Sequence, residues 1–337
     1  MKYSAILVTC ITAFTLLGCE GKATHMPGMP TPPPPYPKAV SMPIDPALQK
    51  QARAEIQSAI HSNDPIIRVH AMETIKDLRL TDADQDVIAA LRDRSMLVRS
   101  AAAMTVGELQ IKAAADQLPE LLQADPDTGN AISVEMERLA AIFAMHRLGN
   151  TKYSHEFEKT AFDPEPHIRG QTAFILGLIG DKSAIPILIA ILQKDKDPNV
   201  KLQAGEALWR MGDERGEDAL LSGTVSSYAS DKMLALLGLA EPRNTIVLGH
   251  IEGLFCDDYL EVRLVAARAA GMLGSDEGYG VALNGVKNAA PIDRSLAAMA
   301  FGAIGRTDAQ PTLAKLLKDS DADVRLAAAG ALMQIAK

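Results

Sequence analysis

The chain has 337 residues, 47% hydrophobic and 23% charged, with one Trp, six Tyr, seven Phe, three Cys and a net charge of −8. That apolar fraction excludes wholesale disorder, and three cysteines exclude a disulfide scaffold. The acidic balance excludes a general nucleic-acid binder, which needs a basic face to displace counterions from phosphates. A large apolar content carried by so few rings predicts closely packed helices, with Ala, Leu, Ile, Val and Met filling the interior.

Residues 1–18 read as an export signal. Lys2 precedes an apolar run from Ser4 to Leu17, too short for the ~20 residues of a membrane span. The run ends in Leu16-Leu17-Gly18-Cys19, which resembles the lipobox of bacterial lipoproteins. The resemblance implies cleavage before Cys19, diacylation of its thiol, and attachment to a membrane surface without crossing it. An ordinary secretory signal, or a short buried helix, is the alternative. Glu20 stands where Asp is the usual inner-membrane retention signal in Gram-negative sorting, so it favours the outer membrane, on the periplasmic side. Residues 19–45 are the lipidated cysteine and a Pro-rich tether, including MPGMPTPPPPYPKAVSMP. As polyproline II it reaches roughly 80 Å at ~3.1 Å per residue. A spacer fits this place behind an anchor better than a Pro-rich recognition motif.

From residue 46 onward the chain repeats itself. A hydrophobic residue, a basic residue, two further residues and Ala or Thr recur around Arg68, Arg99, Arg138, Arg169, Lys201, Lys232, Arg263, Arg294 and Arg325, at spacings of 31, 39, 31, 32, 31, 31, 31 and 31. Each copy reads as two helices, with the basic residue (position 0) in the second. Asp64-Pro65, Asp163-Pro164 and Asp197-Pro198 mark second-helix starts, the aspartate capping free N–H groups and the proline occupying the first turn. Glycine at +11 (Gly149, Gly180, Gly212, Gly274 and Gly305) marks their ends. Shorter amphipathic helices, such as 183–193 and 309–318, complete the pairs. Asp45-Pro46 starts a helix of about 46–61 that serves as the first partner, giving nine two-helix repeats over 46–337. Small residues at +3, eight Ala and Thr172, let the helices approach and explain the scarcity of rings.

These segments resemble the HEAT family, more closely its short bacterial, phycobilisome-lyase-type form, with a frame near D-x-x-V-R-x-x-A-x-x-A-L-x-x-[IL]-G. The resemblance implies an all-α fold, a right-handed α-solenoid with second helices on the concave side. Three repeats depart from the frame, with Glu137, Asp231 and Asp293 at the apolar −1 position. Repeat six also ends in Glu241-Pro242-Arg243 without the glycine, so a bend or shift is expected there.

No constellation for catalysis is visible, and the expectation is a chain that is not an enzyme and holds no metal or cofactor. There is no HExxH. A HEAT enzyme like deoxyhypusine hydroxylase would carry repeated His-Glu pairs at matching places, whereas His155-Glu156 stands alone. His146, His155 and His167 lack metal-ligand spacing. Cys256 reads as a buried structural thiol before a reactive one. The bilin-lyase activity that the family name suggests belongs to the cytoplasm, and a fold match carries no catalytic residue.

On a helical wheel at 100° per residue, −1, +3, +6, +7 and +10 form the buried face, while +1 and +5 lie opposite, toward the concave wall. Those two positions are largely apolar, and an exposed apolar stripe marks a binding surface. The expected groove comprises Leu139, Phe143, Arg147, Phe174, Leu202, Trp209, Arg210, Met233 and Leu237, a mixture of rings and arginine typical of interface hot spots. Its occupant would be a partner protein or peptide. The alternative is tight curvature that buries these side chains between neighbouring second helices. The eight extra residues of repeat three, within 125–133, are a second candidate. No capping helix follows repeat nine, so residues 330–336 offer an apolar end for self-association. The sequence therefore points to a lipid-anchored scaffold or adaptor at the bacterial cell envelope. A chaperone-like assembly factor is the alternative, and a HEAT-based enzyme of lyase type ranks last.

Overall fold

The computed structural model describes residues 39–123 and 131–337. The signal, Cys19 and the tether up to residue 38 lie outside the described residues, as does 124–130, most of the expected loop. In chain order the first helices met are α1 (Pro46–Ile60), α2 (Pro65–Leu78), α3 (Asp84–Ala90), α4 (Met96–Leu109), α5 (Ala131–Arg147), α6 (Glu156–Thr160), α7 (Pro166–Ile179), α8 (Ile185–Lys194) and α9 (Pro198–Arg210). They continue with α10 (Glu214–Gly223), α11 (Ala229–Ala240), α12 (Leu248–Gly253), α13 (Leu260–Met272), α14 (Tyr279–Gly285), α15 (Pro291–Ile304), α16 (Gln310–Leu316) and α17 (Ala322–Gln334). The described residues contain no strand, and the fold is an all-α solenoid. Among them, no helix is long and apolar enough to cross a membrane.

Two bodies divide the chain. One is Ile60–Leu220; the other joins residues 39–59 to Leu221–Lys337. In the first, α4 packs on α2 and α5, and α7 on α9; in the second, α13 packs on α11 and α15, and α15 on α17. Each of the nine basic positions falls in one of these second helices.

The caps follow from the sequence with one displacement. Asp64 Oδ1 accepts from Ile66 N at 2.8 Å, and Asp197 Oδ1 from Asn199 N at 2.8 Å. Helix α7, in contrast, starts at Pro166 with Glu165 as its cap. Asp163 is at −6, two residues before the capping position, and its Oδ1 instead accepts from Glu165 N at 2.9 Å. Position +11 is left-handed in every repeat but the last. Gly149, Gly180, Gly212, Gly274 and Gly305 take φ of 74° to 95°, and Arg79, Gln110 and Arg243 take 49° to 56°. Repeat six thus keeps its closing turn with Arg243 in the glycine's place.

The basic residue of the frame is structural. Its side chain reaches the acid at −6 of the next repeat: Arg68 to Asp93 at 2.8 and 2.7 Å, Arg169 to Asp195 at 2.6 and 2.8 Å, Lys232 to Asp257 at 2.6 Å, and Arg294 to Asp319 at 2.8 Å. The arginine Nη1 also donates to the carbonyl six residues before it, as from Arg169 to Asp163 O at 2.8 Å and Arg294 to Asn288 O at 3.1 Å. Guanidinium hydrogen bonds hold Asp195 and Asp319 below the usual carboxylate range, against the opposing cost of burial.

The ladder accounts for one of the three departures. Repeats three, six and eight have Ile132, Ser226 and Asn288 at −6, and they alone among repeats two to nine carry an acid at −1. Glu137 takes over as the partner of Arg99, at 2.6 and 2.9 Å. Asp231 accepts from Ser226 Oγ at 2.7 Å. Asp293 is buried, and its Oδ1 has no hydrogen-bond partner.

The end of repeat nine, expected to be bare, is covered by the chain's own residues 40–59. Gln49 Nε2 donates to Leu332 O at 2.7 Å, and Arg325 Nε to Glu55 at 2.9 Å, so α1 supplies the carboxylate that a tenth repeat would bring. Leu332 and Ile335 are buried. Self-association through an open apolar end is therefore corrected: that end is not open.

Candidate functional site

The expected groove does not form an exposed stripe. Leu139, Phe143, Phe174, Leu202, Trp209, Met233 and Leu237 are all buried, Trp209 to 6% exposure. The wheel angles do place +1 and +5 away from the first helices, but the second helices pack flank to flank so closely that both flanks are interior. Glycines at +8 allow this. A Cβ on Gly107 would stand 2.5 Å from Phe143 Cε1, and one on Gly177 would stand 2.8 Å from Ala207 Cα. These side chains are buried, and the apolar stripe is core.

Two members of the set stay half-exposed, Arg147 and Arg210, both at +9 at the C-terminal ends of α5 and α9. Half-exposed Leu178 holds the same position in the repeat between them. Arg210 Nη2 pairs with Glu206 at 2.8 Å. Arg147 differs. Its Nε donates to Gly107 O at 3.3 Å, and among the described residues it meets no carboxylate. Next to it, His146 Nδ1 lies 2.8 Å from Ser154 Oγ, and burial, then the Arg147 charge, push its imidazole below the ordinary value. A half-buried guanidinium with its terminal nitrogens uncommitted, beside a neutral imidazole, is suited to a carboxylate brought by another molecule. The signal for this in the sequence was arginine at +9; the surrounding rings concealed it by suggesting a stripe.

Cys256, expected to be buried, is exposed, and it sits at −7, a position exposed in every repeat. The His-Glu pair of the sequence is also at the surface. His155 is 71% exposed on its side chain, while Glu156 pairs with Arg138 at 3.1 Å. No group of three or more His, Cys, Asp or Glu able to hold a metal occurs among the described residues.

A family profile for HEAT repeats matches residues 53–137, 133–209, 156–240 and 280–337. Three curated relatives share the name deoxyhypusine hydroxylase. That of Rattus norvegicus is 28% identical over 98 residues, 29% of this chain and 31% of the relative. That of Gallus gallus is 33% identical over 84 residues, 25% and 28% of the two chains. That of Danio rerio is 30% identical over 98 residues, 29% and 30%. The match spans less than a third of each relative's length. Among solved structures, human deoxyhypusine hydroxylase in complex with glycerol overlaps at a TM-score of 0.39 and 17% identity, covering 76% of this chain and 96% of that one. An engineered protein overlaps at 0.32 and 16%, covering 86% and 94%.

These relatives overturn one expectation. The chain was expected not to be an enzyme, and the relatives that it matches carry an enzyme's name. The repeated His-Glu pairs associated with such an enzyme are not present, and the described residues do not fit a metal, so no catalytic step is derived through one.

Proposed function

The chain belongs to the HEAT repeat family, and from that premise we propose that it is a membrane-tethered array that holds a protein partner by an acidic group. The observation that carries this reading is Arg147, half-buried and without a carboxylate among the described residues, whereas the frame arginines Arg68, Arg169 and Arg294 are each committed to an aspartate. Recognition runs along the C-terminal ends of the second helices, Arg147 to Arg210 across Leu178. A charge-assisted contact at such a site gives specificity and an association rate that falls with salt. The Leu16-Leu17-Gly18-Cys19 sequence supports a lipid on Cys19 and a place at the bacterial envelope, with Glu20 favouring the outer membrane.

The test is partner retention by the anchored chain in native membranes, compared among wild type, Arg147→Lys and Arg147→Glu. Retention that is salt-sensitive, survives in Arg147→Lys and is lost in Arg147→Glu supports the reading. Equal retention in all three discards it.

The relatives' name favours a second reading, hydroxylation of deoxyhypusine. Mass spectrometry after incubation of the purified chain with deoxyhypusine, dioxygen and a reductant tests it: a gain of one oxygen on the substrate, the second oxygen atom leaving as water, supports it, and an unchanged mass discards it.

A further inference from the structure

His250 and His146 each lie against a hydroxyl, and the two contacts differ in where the hydroxyl proton goes. Thr224 Oγ1 donates to Leu221 O at 2.7 Å, so in its 2.7 Å contact with His250 Nε2 the imidazole is the donor. Ser154 Oγ lies 2.8 Å from His146 Nδ1 and has no carbonyl to donate to among the described residues. With the ring hydrogen on Nε2, Nδ1 accepts the Ser154 proton. That is the relationship of a nucleophile to its general base.

The repeat frame does not require this pair. His146 stands at +8, where repeats two, four, seven and eight carry Gly107, Gly177, Gly271 and Gly302, the glycines at which neighbouring helices touch. Repeat three places an imidazole there instead, near the C-terminal end of α5, and the turn before α6 brings Ser154 back to it eight residues later. The main chain holds the serine on both sides: Ser154 N donates to Thr151 O at 3.0 Å, and Ser154 O accepts from Phe157 N at 3.2 Å. Both residues are half-exposed, so a small molecule can reach the hydroxyl.

The charges around the ring suit a base. Burial, then the Arg147 charge, hold the imidazole below its ordinary value, while Asp181, just past α7, acts in the other direction. The ring is therefore neutral at pH 7 and free to take a proton. Arg147 also brings positive charge beside the pair, and charge of that sign favours the oxyanion formed when a hydroxyl adds to a carbonyl.

We propose that Ser154 and His146 form an acyl-transfer site for small carboxylic esters, with Ser154 as nucleophile and His146 as base. Ser154 Oγ bonds to the ester carbonyl carbon as its proton passes to His146 Nδ1. The bond from that carbon to the alkoxy oxygen breaks, and the alcohol leaves with the proton. Water then bonds to the acyl carbon, giving a proton to His146. The bond to Ser154 Oγ breaks, the serine regains a proton from His146, and the acid departs. Ester and water thus become acid and alcohol, with no other reactant. The site goes beyond the carboxylate contact of Arg147 and stands whether or not a partner is held there.

The test treats the purified full chain with a fluorophosphonate, which places phosphorus on an activated serine oxygen with loss of fluoride. Peptide mass spectrometry finds the adduct at Ser154, and Ser154→Ala abolishes it. His146→Gln keeps a hydrogen-bond acceptor without a base and slows the reaction by about a hundred-fold or more. A merely structural contact would leave that rate unchanged. In wild type the rate rises with pH through a midpoint below that of a free imidazole. Turnover is read with p-nitrophenyl acetate, which wild type hydrolyses catalytically and Ser154→Ala does not. Unchanged helical circular dichroism shows that both variants are folded. An adduct missing from Ser154, an equal rate in His146→Gln, or ester hydrolysis that is absent in wild type or survives in Ser154→Ala overturns the site. No partner is present in these assays, so their failure leaves partner retention through Arg147 to its own test.

Discussion

Arg99 and Glu137 form a two-pronged ion pair at 2.6 and 2.9 Å, with Glu137 on a helix face where the neighbouring repeats carry Val or Ile. The pair stands in for the Arg-to-Asp contact that links other repeats through their turns. In repeat three position −6 is Ile132, already inside α5, and the acid that keeps the arginine paired stands five residues along. Glu137→Val leaves half-buried Arg99 without its carboxylate and lowers stability by about 1–3 kcal/mol. The double variant Glu137→Val/Arg99→Leu, which removes both partners, recovers a substantial part of that loss. Urea unfolding midpoints measure both.

The acid at the corresponding place in repeat eight behaves oppositely with pH. Asp293 has a pKa pushed up to about 6, first by burial and then by Glu261, with Arg263 and Arg294 opposing. Its folded state binds a proton that the unfolded state releases near pH 4, so stability falls as pH rises from about 4 through 6. Asp195 and Asp319, whose pKa values are lowered, contribute stability that is lost only in stronger acid. Asp293→Val removes an acceptor without a partner, flattens the window between pH 4 and 6, and raises stability at pH 8 by about 1–3 kcal/mol. Thermal unfolding at pH 4.5 and pH 8 checks the sign.

Backbone strain gives a third prediction. Arg79, Gln110 and Arg243 hold left-handed φ of 49°, 55° and 56° at the positions where five other repeats use glycine. A side chain there costs about 1–2 kcal/mol, partly offset by the greater freedom that glycine loses on folding. Each change to glycine therefore raises stability by about 0.5–1 kcal/mol, whereas Gly180→Ala lowers it by about 1 kcal/mol. Denaturant melts of the four single variants decide this.

Much of the fold was legible because it repeats. The basic residue, the small +3 residue and the +11 glycine each carry a geometric demand, and nine copies make the demand visible. The −1 acid Glu137 looked like a defect because its meaning lies in pairing with Arg99 of the preceding repeat, 38 residues away. The groove failed for another reason. Helical angles gave the right faces, but how close the faces stand was decided by Gly107, Gly177, Gly271 and Gly302, whose missing Cβ atoms let adjacent helices touch. The docking of residues 40–45 left no periodic signal, since Val40, Met42 and Asp45 are held through their backbone N–H groups, which are common to most sequences.

The ring-bearing stripe is core, and recognition is proposed at the exposed ends of the second helices. Trp209 is the only tryptophan, so its fluorescence reports on the stripe directly. Its emission is expected to be blue-shifted, to resist acrylamide and to stay unchanged when a partner binds. Red-shifted emission that acrylamide quenches, and that partner protects, would contradict it.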